Sequence, residues 1–233
     1  MNFLALCKKV DLILRIGEET PGTQPTTVVS QSGVLFEIVQ WVTQSHDDLC
    51  RMRTDWAFMR GSGSFSLPLG DRFITLTEMR AAYPTLGKMV PFVTNDGAYL
   101  GITPTGVAGA AEGTVEYVPY QHWQGNYDAA PLSSGMPTHY TLTPDQGLEF
   151  NTLADRAYTI RGNFRKQVVP LAADTDLPMF DDDYHSTIVW HAIVHYYCPS
   201  RDKTLELRQK ADLEYKRELT KMVNEQTPDF TAY

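Results

Sequence analysis

Between residues 32 and 59, apolar side chains recur at intervals of three and four: Val34/Leu35, Ile38, Trp41/Val42, Leu49, Met52, Trp56 and Met59. Ser45 is the one polar residue on the stripe. The spacing predicts a single amphipathic helix of about 28 residues, on the order of 40 Å long at about 1.5 Å per residue. A stripe of that length has to be covered by other helices. It is no membrane span, because Asp47, Asp48, Arg51, Arg53 and Asp55 interrupt it and no run of about 18 apolar residues occurs elsewhere.

Helical spacing returns at both ends of the chain. Phe3, Leu6, Cys7, Val10, Ile13 and Leu14 predict a short helix packed on the long one and stopped at Gly17, a residue at ease in the left-handed position after a helix. Residues 18–31 are rich in Thr, Pro, Gly and Ser and predict an exposed connection. Ser32 suits the N-cap of the long helix, without the Glu or Gln that would complete a capping box. Asp181 suits the N-cap of a later helix, with Asp182 and Asp183 in a first turn where the helix dipole favours negative charge. Tyr184, Ile188, Val189, Ala192, Ile193 and Tyr196 form its apolar face, and Pro199 ends it. Ser200 or Asp202 then caps a last helix reaching about Asn224, with Leu207, Ala211, Tyr215, Leu219 and Met222 as a narrow stripe. These two helices make a hairpin.

After Met59 the period changes. The run Arg60-Gly61-Ser62-Gly63-Ser64 breaks the helix, and short alternating segments bounded by Gly, Pro, Asn and Asp follow. Strands are predicted at 65–67, 73–76, 89–94, 98–103, 115–120, 138–142, 148–151 and 158–164. Asn95-Asp96-Gly97 and Pro144-Asp145-Gln146-Gly147 predict hairpin turns. Residues 103–113 and 121–136 predict mobile loops suited to partner contacts. The fold class is therefore α+β: about four helices in a bundle, one of them long, with a β-rich insertion and an extended C-terminal tail. Domain limits fall at 1–60 and 170–224 for the helical scaffold, 61–169 for the insertion and 225–233 for the tail.

At 233 residues the chain can bury roughly 70% of its unfolded surface without staples. Cys7, Cys50 and Cys198 sit within predicted helices and form no CxxC pair, which argues for small core residues rather than disulfides or zinc. The N-terminus lacks the charged-then-apolar order of a signal peptide. A net charge of −8 opposes sequence-specific binding to nucleic acid.

Motifs for chemistry are sparse. His191 and His195 stand at i and i+4, the spacing that offers two imidazoles to zinc, but Ala192 replaces the Glu that would activate water. His185, six residues earlier, lies off that face. Asp174, Asp176, Asp181, Asp182 and Asp183 lack the Gly and Glu positions of a calcium loop, and helix capping accounts for the last three. Gly106, Gly109 and Gly113 do not have dinucleotide spacing, and no nucleophile elbow or His-paired cysteine is present. The aromatics of residues 117–127 suit core packing, a protein interface or a sugar-binding face. No cofactor and no catalytic residue is expected. The tail, with Pro228, Phe230 and Tyr233, suits an arm that orders on a partner or a terminus that frays.

Six segments, taken in order, resemble the head-to-tail adaptor (connector) proteins of tailed bacteriophages. They are Asn-Phe-Leu-Ala-Leu-Cys at 2–7, Thr-Thr-Val-Val-Ser-Gln-Ser-Gly-Val-Leu-Phe-Glu-Ile-Val-Gln-Trp-Val at 26–42, and Arg-Thr-Asp-Trp-Ala-Phe-Met-Arg at 53–60. The others are Gly-Met-Pro-Thr-His-Tyr at 135–140, Tyr-Thr-Ile-Arg-Gly-Asn-Phe at 158–164, and Leu-Pro-Met-Phe-Asp-Asp-Asp-Tyr-His-Ser-Thr-Ile-Val-Trp-His-Ala-Ile at 177–193. The resemblance implies a structural, non-enzymatic virion protein at the neck, made in the host cytoplasm. It implies a homo-oligomeric ring, usually of twelve copies, below the portal protein and joined to tail or nozzle proteins. Genome DNA would pass through the channel without specific binding, and no membrane would be involved. Portal docking by the C-terminal arm would fall to Pro228, Asp229, Phe230 and Tyr233. Three other readings stay open: a tail-side or head-closure protein, a carbohydrate or receptor reader built on the β insertion, and a metal-dependent hydrolase using His191 and His195.

Overall fold

The computed structural model describes residues 1–14, 24–90, 92–94, 97–127, 133–197 and 205–226. Its elements are mixed α+β, and the chain divides into two compact units, Met1–Met59 with Val168–Tyr233 and Arg60–Gln167. Each has its own hydrophobic core.

The first unit is helical. Helix α1 (Phe3–Leu14) and helix α2 (Gly33–Met52) pack against each other and against α5 (His185–Ala192), and α6 (Leu205–Gln226) also packs on α5. Helix α5 is the centre, with Ile188, Val189 and Ala192 all fully buried. The stripe of α6 is borne out: Ala211, Tyr215 and Met222 are buried, and Leu207 and Leu219 are half-buried. The expected caps Ser200 and Asp202, like Gly17, Pro199 and Cys198, lie outside the described residues. Cys7 and Cys50 are buried, and burial pushes the Cys7 thiol up to about 12.

Three expectations need correction here. The stripe of residues 32–59 is not one helix: α2 stops at Met52, Arg53 is extended (φ −132°, ψ 150°), and Ala57–Met59 is a short 3-10 turn. The break is held by a bidentate pair between Arg53 and Asp55 at 2.9 and 3.0 Å, a two-residue spacing that a helix does not bring together. Trp56 then folds back and donates its indole N–H to the Leu49 carbonyl at 2.8 Å, satisfying one of the acceptors that a helix end leaves open. Second, residues 24–31 are not a wholly exposed connection, since Pro25 and Val28 are buried. The Asp174 carboxylate accepts from the Val28 N–H (2.6 Å) and the Thr27 hydroxyl (3.1 Å) and ties this segment down. Third, α5 passes directly into a π-helical turn, Ile193–Tyr197, whose extra residue shifts the phase. Tyr197 rather than Tyr196 is therefore the buried ring, packed edge-on against Trp41 at 5.7 Å. At the start of α2, Ser32 holds the N-cap position with extended backbone, but its hydroxyl makes no capping bond.

The second unit is a strongly curled sheet. Strand β1 (Arg60–Leu67) pairs along its whole length with β11 (Tyr158–Lys166), antiparallel, from Arg60 opposite Arg165 to Leu67 opposite Tyr158. The far edge of β11 divides between β5 (Gly97–Pro104) and β3 (Leu86–Val90), while β4 (Phe92–Thr94) joins β5. The path runs on through β6 (Gly113–Tyr117), β8 (His139–Leu142), β9 (Leu148–Phe150) and β2 (Phe73–Ile74). Its two ends, β1 and β2, come into contact, so the sheet is nearly closed around Phe65, Leu100, Ile102, Val115, Phe150 and Ile160. A two-residue parallel pair, β7 (Ser134–Gly135) with β10 (Leu153–Ala154), stands apart. The 144–147 turn is a hairpin between β8 and β9, with Gln146 at φ +65°. Strands β4 and β5 pair with Thr94 opposite Gly97, while Asn95 and Asp96 lie outside the described residues.

Two helices stand where strand ends or a loop were expected. Helix α3 (Leu76–Ala82) starts at a full capping box: Thr75 Oγ1 accepts from the Glu78 N–H (3.2 Å), and Glu78 Oε2 accepts from the Thr75 N–H (2.7 Å). Helix α4 (Tyr120–Asn126) follows Pro119, whose φ of −56° is already helical, and it buries Trp123 completely. It lies in the connection between β6 and β8, which pair in parallel and so require a crossover.

Candidate functional site

The residues singled out for portal docking, Pro228, Asp229, Phe230 and Tyr233, lie outside the described residues. Their point of departure is described. The last turn of α6 is fixed to the unit by Met222, which is fully buried, and by Tyr184, whose hydroxyl donates to the Glu225 carboxylate. Lys221 stands 5.5 Å from the centre of the same Tyr184 ring. Hydrogen bonding to Glu225 and burial raise the Tyr184 hydroxyl above the ordinary tyrosine range, so it remains a donor at neutral pH. Residues 227–233 thus continue from an anchored helix end.

Asp174 and Asp176 serve the backbone, whereas Asp181, expected as a cap, makes no capping bond with its side chain. Asp176 Oδ2 accepts from the Ala172 and Ala173 N–H groups, both at 2.7 Å, and these bonds hold its carboxyl below the usual range. Asp174 holds residues 27 and 28, as above. Asp181 occupies the N-cap of the 3-10 turn Asp182–Tyr184, and Asp182 pairs with the Met1 amine and with His185 Nδ1.

His191 and His195 do come together, but as stacked rings 4.3 Å apart at 29°. Stacking presents faces rather than lone pairs, and Tyr215 closes edge-on against both rings at 5.3 Å. Nδ1 of buried His191 bonds to Ser45 Oγ at 3.0 Å, which explains the polar residue on the apolar stripe of α2. Burial, then the neighbouring His195, lowers His191 to about 4, against a smaller opposing pull from Asp48. His46, buried beside that stripe, accepts the Met179 N–H at Nε2 (3.3 Å), and burial lowers it to about 4; Cys50 Sγ lies 3.6 Å from the same atom, so one cysteine does neighbour a histidine, contrary to the expectation from sequence. Among the described residues, no group of three His, Cys, Asp or Glu side chains gathers as a metal site would require. His46 and His191 are bonded into the packing of the helical unit.

Among the described residues, each unit carries a hollow. On the helical unit, Thr43, Gln44, Asp47, Asp48 and Arg51 of α2 surround about 460 Å³ together with Tyr196. The Tyr196 hydroxyl donates to Asp48; burial and that bond push it up to about 12. On the β unit, about 500 Å³ opens over Gly63, Gly101, Gly113 and Gly162, with Tyr83 on one side and the Arg161–Glu112 pair (3.4 Å) across it. The aromatic run of residues 117–127 spends its rings on packing: Tyr117 lies 5.5 Å from Tyr140, and Tyr127 stands 4.6 Å from Trp123 and 5.7 Å from His139.

The model of the SU10 adaptor protein family matches residues 1–232. The chain belongs to that family, a family of phage head-to-tail adaptors. No curated protein matches it in sequence. Membership makes it a structural protein of the phage virion that works with portal and tail proteins. No helix among the described residues is long and apolar enough to cross a membrane.

Proposed function

We propose that this chain forms a ring of twelve copies below the portal protein, joins capsid to tail or nozzle proteins, and encloses the channel through which the genome leaves. The observation that carries the reading is the family match across residues 1–232. In this reading the helices of 1–60 and 170–224 act as a four-helix scaffold that forms the ring wall, and the insertion 61–169 faces outward or toward the tail. The protein is made in the host cytoplasm, carries no cofactor and catalyses nothing. Residues 225–233 reach the portal, where Phe230 and Tyr233 fill pockets, Pro228 limits the entropy lost on docking and Asp229 sets the register. The anchoring of α6 at Tyr184 and Met222 supports this role, because an arm transmits a docking force only from a fixed base.

A chain ending at Gln226 tests the arm. It is expected to keep its helical circular dichroism and to lose binding to the portal protein of the same phage. Undiminished binding by the shortened chain removes the arm from the mechanism.

A further inference from the structure

Helix α5 ends in the π turn Ile193–Tyr197, which holds one residue more than an α-helical turn would. Two tyrosines stand side by side at its end. Tyr197, 1% exposed, packs edge-on against Trp41 of α2 at 5.7 Å. Tyr196, half-buried, donates its hydroxyl to Asp48 of the same helix. At about 100° per residue, taking the extra residue out of the turn brings Tyr196 round to the place beside Trp41 that Tyr197 now fills. The slot therefore receives the same side chain in either register. The slip also changes the place of His195, which is stacked on His191 at 4.3 Å and met edge-on by Tyr215 of α6 at 5.3 Å. Two sets of contacts hold the π register, the Tyr196–Asp48 bond and the group of His191, His195 and Tyr215. The backbone opposes it, because the α form is the common one.

We infer that this turn is a register switch: the end of α5 passes between the π register and an α register in which Tyr196 replaces Tyr197 against Trp41, and α6 follows through Tyr215. Two packings that bury the same kind of ring differ by little, which makes the element bistable rather than merely strained. The slip carries Tyr197 out of its slot, about 1.5 Å along the helix axis and about 100° around it. What the switch serves rests on the arm reading above. Helix α6 leads into residues 227–233, so a partner that draws on them acts on the turn through Tyr215. A partner shifts the balance only toward the register that the isolated chain does not hold. Docking on portal is therefore assigned the α register.

Neighbouring alanines in the full chain test it. Tyr197→Ala is expected to slip to the α register and refill the slot with Tyr196, so its thermal midpoint falls far less than that of the chain carrying Tyr196→Ala and Tyr197→Ala together. The double variant is expected to fall by more than the two single variants summed. Asp48→Ala is expected to lower the midpoint of the natural chain and to leave that of Tyr197→Ala unchanged, because the tyrosine bonded to Asp48 has moved away. This second cycle separates a slip from collapse of the neighbours into a cavity. On portal the two single variants are expected to differ in sign: Tyr197→Ala, which populates the α register, binds about tenfold more tightly, and Tyr196→Ala, which holds the π register, binds more weakly. Additive midpoints, with Tyr197→Ala taking nearly the whole loss, overturn the switch. A Tyr197→Ala chain that does not fold, beside a folded Tyr196→Ala, overturns it equally. Equal portal affinity of the two single variants overturns the coupling to docking, whereas failure of the arm reading shows separately, as portal binding that persists in the chain ending at Gln226.

Discussion

The helical unit and the β unit close their cores by different means. Among the described residues, the helical unit buries Asp11, Ser45, His46, His185, Thr187 and His191, whereas the β unit buries only Thr141 and Glu149 of its polar side chains. Glu149 is paired with Arg72. Charge divides in the same way: residues 1–59 with 168–233 carry 19 acidic and 12 basic residues, net −7, against 9 and 8, net −1, for residues 60–167. Packed helices can thread hydrogen bonds between one another, as between His191 and Ser45, because their backbone groups are satisfied within each helix. A curled sheet already spends its backbone groups between strands, so its side chains are left to fill space. The comparison teaches that the helical unit is the one whose stability depends on protonation.

Acid gives the largest expected effect. His46 and His191 sit near 4 in the folded state against about 6.5 unfolded, so below about pH 6.5 the unfolded chain binds more protons. Their neutral-state stability is complete above that value and is lost as pH falls toward 4. At about 1.4 kcal/mol per pH unit, the pair removes on the order of 5 kcal/mol across the window. Geometry agrees with the direction, since protonating Nε2 of His46 would displace the Met179 N–H that it accepts. Depressed carboxylates such as Asp176 act only below about 3.8 and leave the window clear. Thermal unfolding followed by helical circular dichroism is expected to drop steeply between about pH 7 and pH 5, and His46→Gln with His191→Asn to flatten the slope. The β unit buries no histidine among its described residues; an equal acid shift in its own unfolding breaks the comparison.

Trp56→Ala comes next, at about 3–5 kcal/mol from the cavity and the abandoned Leu49 carbonyl. Urea unfolding is expected to show the loss in the helical transition, with the β transition in place. A loss under about 1 kcal/mol means that the turn after α2 reseals without its indole.

That turn also marks where the sequence stops being legible. Helices α1 and α6 follow directly from periodicity, because each carries an isolated apolar stripe. Trp56 continues the stripe of α2 only by coincidence of spacing: it reaches the same core from a turn, and position along the chain does not separate the two routes. The Arg53–Asp55 spacing, unsuited to a helix, was the available signal. The π turn left none, because the inserted residue that exchanges Tyr196 for Tyr197 changes no residue type. Helix α3 was readable, with Thr75 and Glu78 at capping-box spacing, and its brevity hid it among strands. The histidine pair shows the same limit at the level of the site: spacing placed both rings on one face, but stacking and the Ser45 bond decided that they pack rather than ligate.

The smallest effects test the claim that the β unit is limited by space. Gly162 and Gly101 are on adjacent strands, yet a methyl group has different neighbours at each. At Gly162 it would come 2.6 Å from Leu100 Cδ2 and 2.8 Å from Met89 Cε, core atoms with little room to retreat. At Gly101 it would displace the Glu112 carboxylate, the far end of an exposed side chain paired with Arg161. Gly162→Ala is therefore expected to cost about 1–3 kcal/mol through overpacking, and Gly101→Ala within about 0.5 kcal/mol. Denaturant midpoints of the β transition measure both. If the order is reversed, the ion pair over the hollow matters more than the filling of the sheet's interior, and the β unit is governed by charge as the helical unit is.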